Sequence, residues 1–437
     1  MKRLLETKRL INILDIHPDI ALETLQRARM AAFTLVKWLL CSVLSGSVIG
    51  LIGALFYKCL QYVTNIRTTY SFTLFFLPLA GIIIVFIYRL TNEADNTGTN
   101  LVITAIQSNV EVPVKVTPLI IISTLLTHLC GGSAGREGAA LQLGGSIGNG
   151  LGKLFRFDEK DKHIMIMCGM SAAFSALFGT PMAAAVFALE VVSVGVMYYT
   201  ALMPCMIASL VASGFAAGMG VTPEAFHVVD IPKLTIETGL KMGAIAVGCA
   251  VISIVFCMVL NGVAGAYGRW FKNPYVRVVV GSCLVIGITL LLGTSDYMGA
   301  GAELIEKAVE EGQARPLDFF WKLVLTALTM RAGFRGGEIV PSFCIGATFG
   351  CVMGNWLGFS PSICAACGMT AVFCGVTNCP ITSILIAFEM FGFKGVPFYL
   401  IAVSISYAAS GYYGLYKDQT IVYSKYKAKY VNKRTRF

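Results

Sequence analysis

The sequence predicts an all-α polytopic membrane protein, an inverted repeat of two halves built from many tilted, short and re-entrant helices. Three observations carry that prediction. Only 13% of the 437 residues are charged, against 56% hydrophobic. A soluble protein carries roughly 25% charge, and with a mean hydropathy of +0.73 a soluble enzyme is excluded. The apolar segments are uneven in length and interrupted by glycine-rich turns. Two glutamate-bearing motifs each occur twice, about 200 residues apart.

Taken in order, residues 1–29 hold Lys2, Arg3, Lys8, Arg9, Arg27 and Arg29, with Leu4, Leu5, Leu10, Ile11, Ile13 and Leu14 at near-helical spacing. They read as a cytoplasmic amphipathic helix, and no cleavable signal is expected because the long apolar run begins only near Met30. Residues 30–235 read as the first transmembrane half and 236–424 as the second, ending in a Tyr-bearing final helix; 425–437 reads as a short basic cytoplasmic tail. Basic residues at both ends place both termini in the cytoplasm and explain the net charge of +10 without a nucleic-acid partner. Segments 30–57 and 238–261 are long enough to cross a bilayer. Segments 118–130, 182–197 and 381–392 are too short, as half-helices around a midplane site would be.

The repeat is legible in the motifs. Gly135-Arg136-Glu137 is followed by Gly145, and Gly336-Gly337-Glu338 by Gly346, in each case eight residues after the glutamate. Pro181 to Glu190 likewise matches Pro380 to Glu389. The loop after the first glycine helix contains Lys153, Arg156, Lys160 and Lys162, whereas the equivalent stretch 355–362 carries no charge. Basic loops stay inside, so equivalent loops are expected on opposite faces.

Other chemistries find little support. Most of the fourteen cysteines stand singly in apolar runs, and the Cys364/Cys367 pair has no second pair to complete a metal site. The four histidines show no ligand spacing, so neither metal nor cofactor is expected. Ser133 and His128 lie near Glu137, but no nucleophile and base face each other from separate motif-bearing helices, so an intramembrane enzyme is not expected.

A glutamate inside an apolar, glycine-rich segment is expensive to keep charged and is a functional candidate by default. Glu137 and Glu338 each open a helix, and Pro341 just inside the second supports that start. Unpaired N–H groups at a helix start carry partial positive charge. Two inverted half-helices therefore aim two positive ends at one point, which suits an anion that must also be released. A carboxylate beside that point competes with the anion until it is protonated. Glu190 and Glu389, at the far ends of their segments, read as structural or interfacial.

Gly135-Arg136-Glu137-Gly138 with Gln142 and Gly144-Gly145, together with Gly336-Gly337 and Pro341, resembles the CLC family of chloride channels and anion/proton exchangers over residues 30–424. The resemblance implies a homodimer with one pore per subunit in the cell membrane, moving chloride or a related halide, with protons as the coupled ion. It implies that Glu137 is the gate and proton carrier, and that Arg136, Gly138 and the N–H groups of Ile339 and Val340 bind the anion. Thr97, with Gly98, stands in for the family's serine motif, and Tyr423 for its inner tyrosine. Val191 occupies the position of the exchangers' inner glutamate, as in channel members. Glu338 resembles a glutamate of the fluoride-exporting branch and is expected to relay protons in its place. Proton-coupled exchange, a passive chloride channel and a fluoride/proton antiporter are the readings carried forward. No room is expected after Tyr423 for the family's paired nucleotide-binding repeats.

Overall fold

The computed structural model describes residues 18–94, 96–427 and 429–436, with side chains from residue 23 onward. It contains sixteen α-helices among those residues. The first, α1 (Pro18–Thr69), is 52 residues long, or about 78 Å, far more than the roughly 30 Å of a hydrocarbon core. Residues 18–29 are the opening turns of this helix, continuous with the first span, and not a separate surface helix. Residues 1–17 of that expected element lie outside the described residues. The first buried side chain of α1 is Trp38, and beside it Lys37 pairs with Asp161 and lies over the Phe157 ring at 4.3 Å.

The first half continues with α2 (Leu77–Leu90), α3 (Thr99–Gln107), α4 (Val116–Leu129), α5 (Glu137–Leu154), α6 (Glu159–Phe178), α7 (Pro181–Glu190) and α8 (Leu202–Gly218). The second half runs α9 (Ile236–Trp270), α10 (Pro274–Leu292), α11 (Ala302–Glu310), α12 (Asp318–Ala332), α13 (Ile339–Trp356), α14 (Pro361–Thr377), α15 (Pro380–Phe391) and α16 (Val396–Ala409). The short segments expected at 118–130, 182–197 and 381–392 are α4, α7 and α15, too short to cross. Capping chemistry sets many boundaries. Asp158 accepts from the Asp161 N–H at 2.8 Å to open α6, and Thr235 and Thr238 form a reciprocal box at the start of α9. Proline opens α7, α10, α14 and α15. Left-handed Gly179 closes α6 and left-handed Asn378 closes its counterpart α14.

The two halves meet through matched, reciprocal contacts. At the C-terminus of α7, Glu190 accepts from the N–H groups of Ile381 (3.1 Å) and Thr382 (2.9 Å), which open α15. At the end of α15, Glu389 accepts from Met182 and Ala183, both at 2.9 Å, which open α7. Each carboxylate caps the repeat-equivalent helix, so α7 and α15 run antiparallel, as a two-fold inverted repeat requires. The most deeply buried helices are α5, α6, α13 and α14. Cys364 and Cys367 are buried thiols on α14, Cys364 packing against Gly350 and Gly354.

After α16 the chain does not form the expected Tyr-bearing helix. It turns at Gly411, which has φ +63°, and enters strand β2 (Thr420–Tyr423), antiparallel to β3 (Tyr430–Arg434) and parallel to the two-residue β1 (Ser193–Val194). The expected basic tail is largely this hairpin. Lys425 reaches inward to Asn378 and to Ser410 Oγ at 3.1 Å.

Candidate functional site: two helix starts joined at the core

The strands of chain that lead into α5 and α13 are tied directly to each other. Gly135 N–H donates to Gly337 O at 2.7 Å, and Gly337 N–H donates to Gly135 O at 2.8 Å. Glycine is required because the backbones touch: a Cβ on Gly336 would stand 2.8 Å from Gly135 O, and one on Gly138 would stand 2.9 Å from Gly336 O. The sequence motif is thus a steric condition for bringing two helix N-termini together.

Glu137 is fully buried at this junction. Its Oε2 accepts from Arg136 N–H at 3.0 Å and from Val340 N–H at 3.2 Å. Val340 is the second residue of α13, so the carboxylate of one half sits on the positive end of the other. Glu137 Oε1 has no hydrogen-bond partner; its nearest cation is Arg136 Nε at 3.7 Å. Arg136 itself turns away to pair with Glu224 and to lie over the Tyr57 ring at 4.9 Å. It therefore forms the wall outside Glu137. Ile339 and Val340 are both buried at the start of α13. Glu338, the N-cap residue of that helix, is about one-fifth exposed and pairs with Arg331 at 3.5 Å.

Two of the expected hydroxyls are not buried at the junction. Thr97 is exposed, whereas Thr99, the first residue of α3, is buried and donates from Oγ1 to Gly138 O at 3.4 Å. Gly98 supplies the turn, with φ +70° and its N–H on Asn96 Oδ1 at 2.8 Å. Tyr423 is 49% exposed on β2, against Tyr430, and does not reach the junction. Tyr416 is 3% exposed and lies in the electrostatic field of both Glu137 and Glu338. The loop bearing Tyr416 is held by Thr435, whose Oγ1 donates to Tyr416 O at 2.6 Å.

Sequence reasoning also missed Glu224 and Lys322. The Lys322 side chain is wholly buried and its Nζ donates to Tyr297 O (3.0 Å) and Gly299 O (2.7 Å), fixing the loop whose Gly299 O accepts from Ala134 N–H. A lysine isolated in the apolar α12 was the available signal. Replacing the Tyr416 hydroxyl (Tyr416→Phe) is expected to weaken apparent anion affinity about tenfold, the scale of one hydrogen bond to a charged group. Tyr423→Phe is expected to leave it within about twofold; flux titrations on both variants check the assignment.

An anion or carboxylate held between two inverted half-helix starts in a membrane bundle defines a class of ion transporter. Residues 79–411 match the voltage gated chloride channel family. The chain belongs to that family, the CLC proteins. It is 32% identical to a chloride/fluoride channel protein of Pseudomonas syringae pv. tomato, with 90% of this chain and 88% of the relative aligned. It is 26% identical to the H(+)/Cl(-) exchange transporter ClcA of Vibrio cholerae, over 80% and 81% of the two chains. Among solved structures it resembles a CLC-type fluoride/proton antiporter at TM-score 0.85 and 34% identity, covering 89% of this chain and 98% of that one.

Proposed function

We propose that this protein is a proton-coupled halide antiporter with Glu137 as both gate and proton carrier. The observation that carries the reading is the buried Glu137 carboxylate on Val340 N–H, because a carboxylate there takes the place of a transported anion. Protonation removes its charge and its claim on the helix end, and an incoming anion replaces it. Loss of the proton returns the carboxylate and expels the anion. Anion and proton then occupy the pathway alternately, which is coupling in opposite directions.

Fluoride is the preferred substrate in this reading. The fluoride/proton antiporter and the chloride/fluoride channel protein share about a third of their residues with the chain, and Glu338 supplies a second carboxylate within the field felt by Tyr416. Arg331 pairs with the Glu338 carboxylate at 3.5 Å. The functional unit is a homodimer in the cell membrane with one pore per subunit and both termini cytoplasmic. Val191 favours the second reading, a passive channel: it is fully buried and apolar, and its carbonyl accepts from Gln419 at 3.0 Å.

Purified protein in liposomes, with fluoride and chloride gradients run in parallel and external pH recorded, separates the readings. Uphill proton movement driven by fluoride more strongly than by chloride is expected. Anion flux with no proton movement would establish the channel. Within the exchanger reading, Glu338→Gln is expected to lower the proton-to-anion ratio at least about fivefold, because an intramembrane carboxylate relays a proton that an amide cannot. An unchanged ratio would reduce Glu338 to a structural partner of Arg331.

A further inference from the structure

We propose that Lys425 is a positioning residue for anion transport: its ammonium, acting through Asn378 and Gln419, pins the C-terminal hairpin to the helix ends and fixes the loop that carries Tyr416. The inference rests on the reading of Tyr416 as the inner hydroxyl of the pathway. Lys425 stands in the connection between β2 and β3. Its Nζ donates to Ser410 Oγ at 3.1 Å, to Tyr407 O at 3.2 Å and to Asn378 Oδ1, and it lies over the Tyr407 ring at 4.4 Å. Asn378 closes α14, and Tyr407 and Ser410 are the last turn and the cap of α16. An ammonium has three donors, and here each meets a neutral oxygen on a fixed helix end.

The lysine sets the direction of a chain of hydrogen bonds. Because Asn378 Oδ1 is turned to Lys425, its Nδ2 faces the other way and donates to Tyr413 O and Gln419 Oε1, both at 3.0 Å. Gln419 is fully buried, and its Nε2 is thereby directed to Val191 O (3.0 Å) and Thr377 O (2.8 Å). A reversed Asn378 amide would set its oxygen against two acceptors, so the order holds while a donor stands at 425. Gln419 in turn holds Tyr416. Its backbone N–H donates to Tyr416 O at 3.0 Å, where Thr435 Oγ1 also donates, and its carbonyl accepts from Thr435 N–H at 3.1 Å. Between the two, Asp418 N–H donates to Asn100 Oδ1 at 3.3 Å, one residue from Thr99. Residues 411–419 belong to no helix or strand, so these bonds, and not a regular backbone ladder, decide where the Tyr416 hydroxyl stands.

A double-mutant cycle on the full chain in liposomes tests the role, reading the fluoride or chloride concentration for half-maximal flux. Lys425→Met keeps the length of the side chain and removes its donors. It is expected to raise half-saturation about tenfold, the scale of one hydrogen bond to a charged group, with maximal rate within about threefold. Added to Tyr416→Phe, it should change half-saturation by no more than about twofold, because a residue that acts through another has nothing left to position. Lys433→Met, on the exposed side of the same hairpin, should stay within about twofold of the parent. An unchanged half-saturation in folded Lys425→Met overturns the role. Effects that multiply to about a hundredfold in the double variant also overturn it, since Lys425 then acts apart from Tyr416. If Lys425→Met does not elute as folded protein on gel filtration, Ser410→Ala decides: it removes one acceptor and should shift half-saturation about threefold, and no shift overturns the role. A shift in Lys425→Met with none in Tyr416→Phe overturns the route through Tyr416. The expected cycle in a protein that moves no protons would support the positioning role and overturn the exchange reading instead.

Discussion

Glu137→Gln is expected to abolish uphill proton movement while anion flux persists. The amide keeps the size of the carboxylate and can still accept from Val340 N–H, which Glu137 Oε2 engages at 3.2 Å. It carries no charge and takes up no proton in the physiological range. The variant is therefore fixed as a mimic of the protonated gate, and an anion no longer competes with a negative charge for the end of α13. In this reading every coupled proton passes through the Glu137 carboxylate, so the proton signal should fall to background, a loss of at least about a hundredfold in coupled rate. Proton uptake equal to that of the parent, measured in liposomes under a fluoride gradient, would remove Glu137 from the mechanism. Anion flux in the variant should also lose most of its dependence on external pH, since the group that senses it is gone.

The sequence made the centre of this molecule legible and left its edges obscure, for a physical reason. Gly135, Gly138, Gly336 and Gly337 must be glycine for two backbones to touch, and the two glutamates are costly in an apolar segment, so both features show in the residue types themselves. The duplication then showed which motifs belong together. Thr97 and Tyr423 are exposed while Thr99 and Tyr416, which were not singled out, are buried, because each lies in or beside an irregular loop, where no periodicity fixes which residue faces inward. Turns at Gly98 and Gly411, both at positive φ, redirect the chain within a few residues, and a two-residue or seven-residue slip is invisible to motif matching. Residues 18–29 were separated from α1 because their charges resemble a surface helix, although no glycine or proline occurs between Asp19 and Ser45 to break it. Glu190 and Glu389 read correctly as structural, but their crosswise capping depends on the fold and has no local signature.

Gly346→Val should cost the protein its folded state. In the second half, α13 and α14 pack backbone to backbone: a Cβ on Gly346 would overlap Gly368 O and stand 2.9 Å from the Met369 Cα, and a Cβ on Gly350 would overlap Cys364 O and stand 3.2 Å from the Gly368 Cα. In the first half, Gly144 meets Gly169 and Gly148 meets Met165 in the same manner. The spacing of glycines four apart on α5 and again on α13 is the small-residue arrangement that lets membrane helices approach closely. Because the obstacle is a main-chain oxygen within a helix, no side chain can swing aside to make room. Valine at 346 must push the helices apart and carry the start of α13, with Val340, away from Glu137. A destabilisation of about 3 kcal/mol or more is expected, at the upper end for overpacking a core. Gly262→Ala provides the contrast, since nothing lies within 4 Å of a Cβ there, and alanine in a helix interior should stabilise by roughly 0.5–1 kcal/mol. Gel filtration after detergent extraction and a thermal melt read both variants. A Gly346→Val protein that elutes and melts like the parent would mean that α13 is not held against α14 at this distance, and the geometry that places Val340 N–H on the Glu137 carboxylate would lose its support.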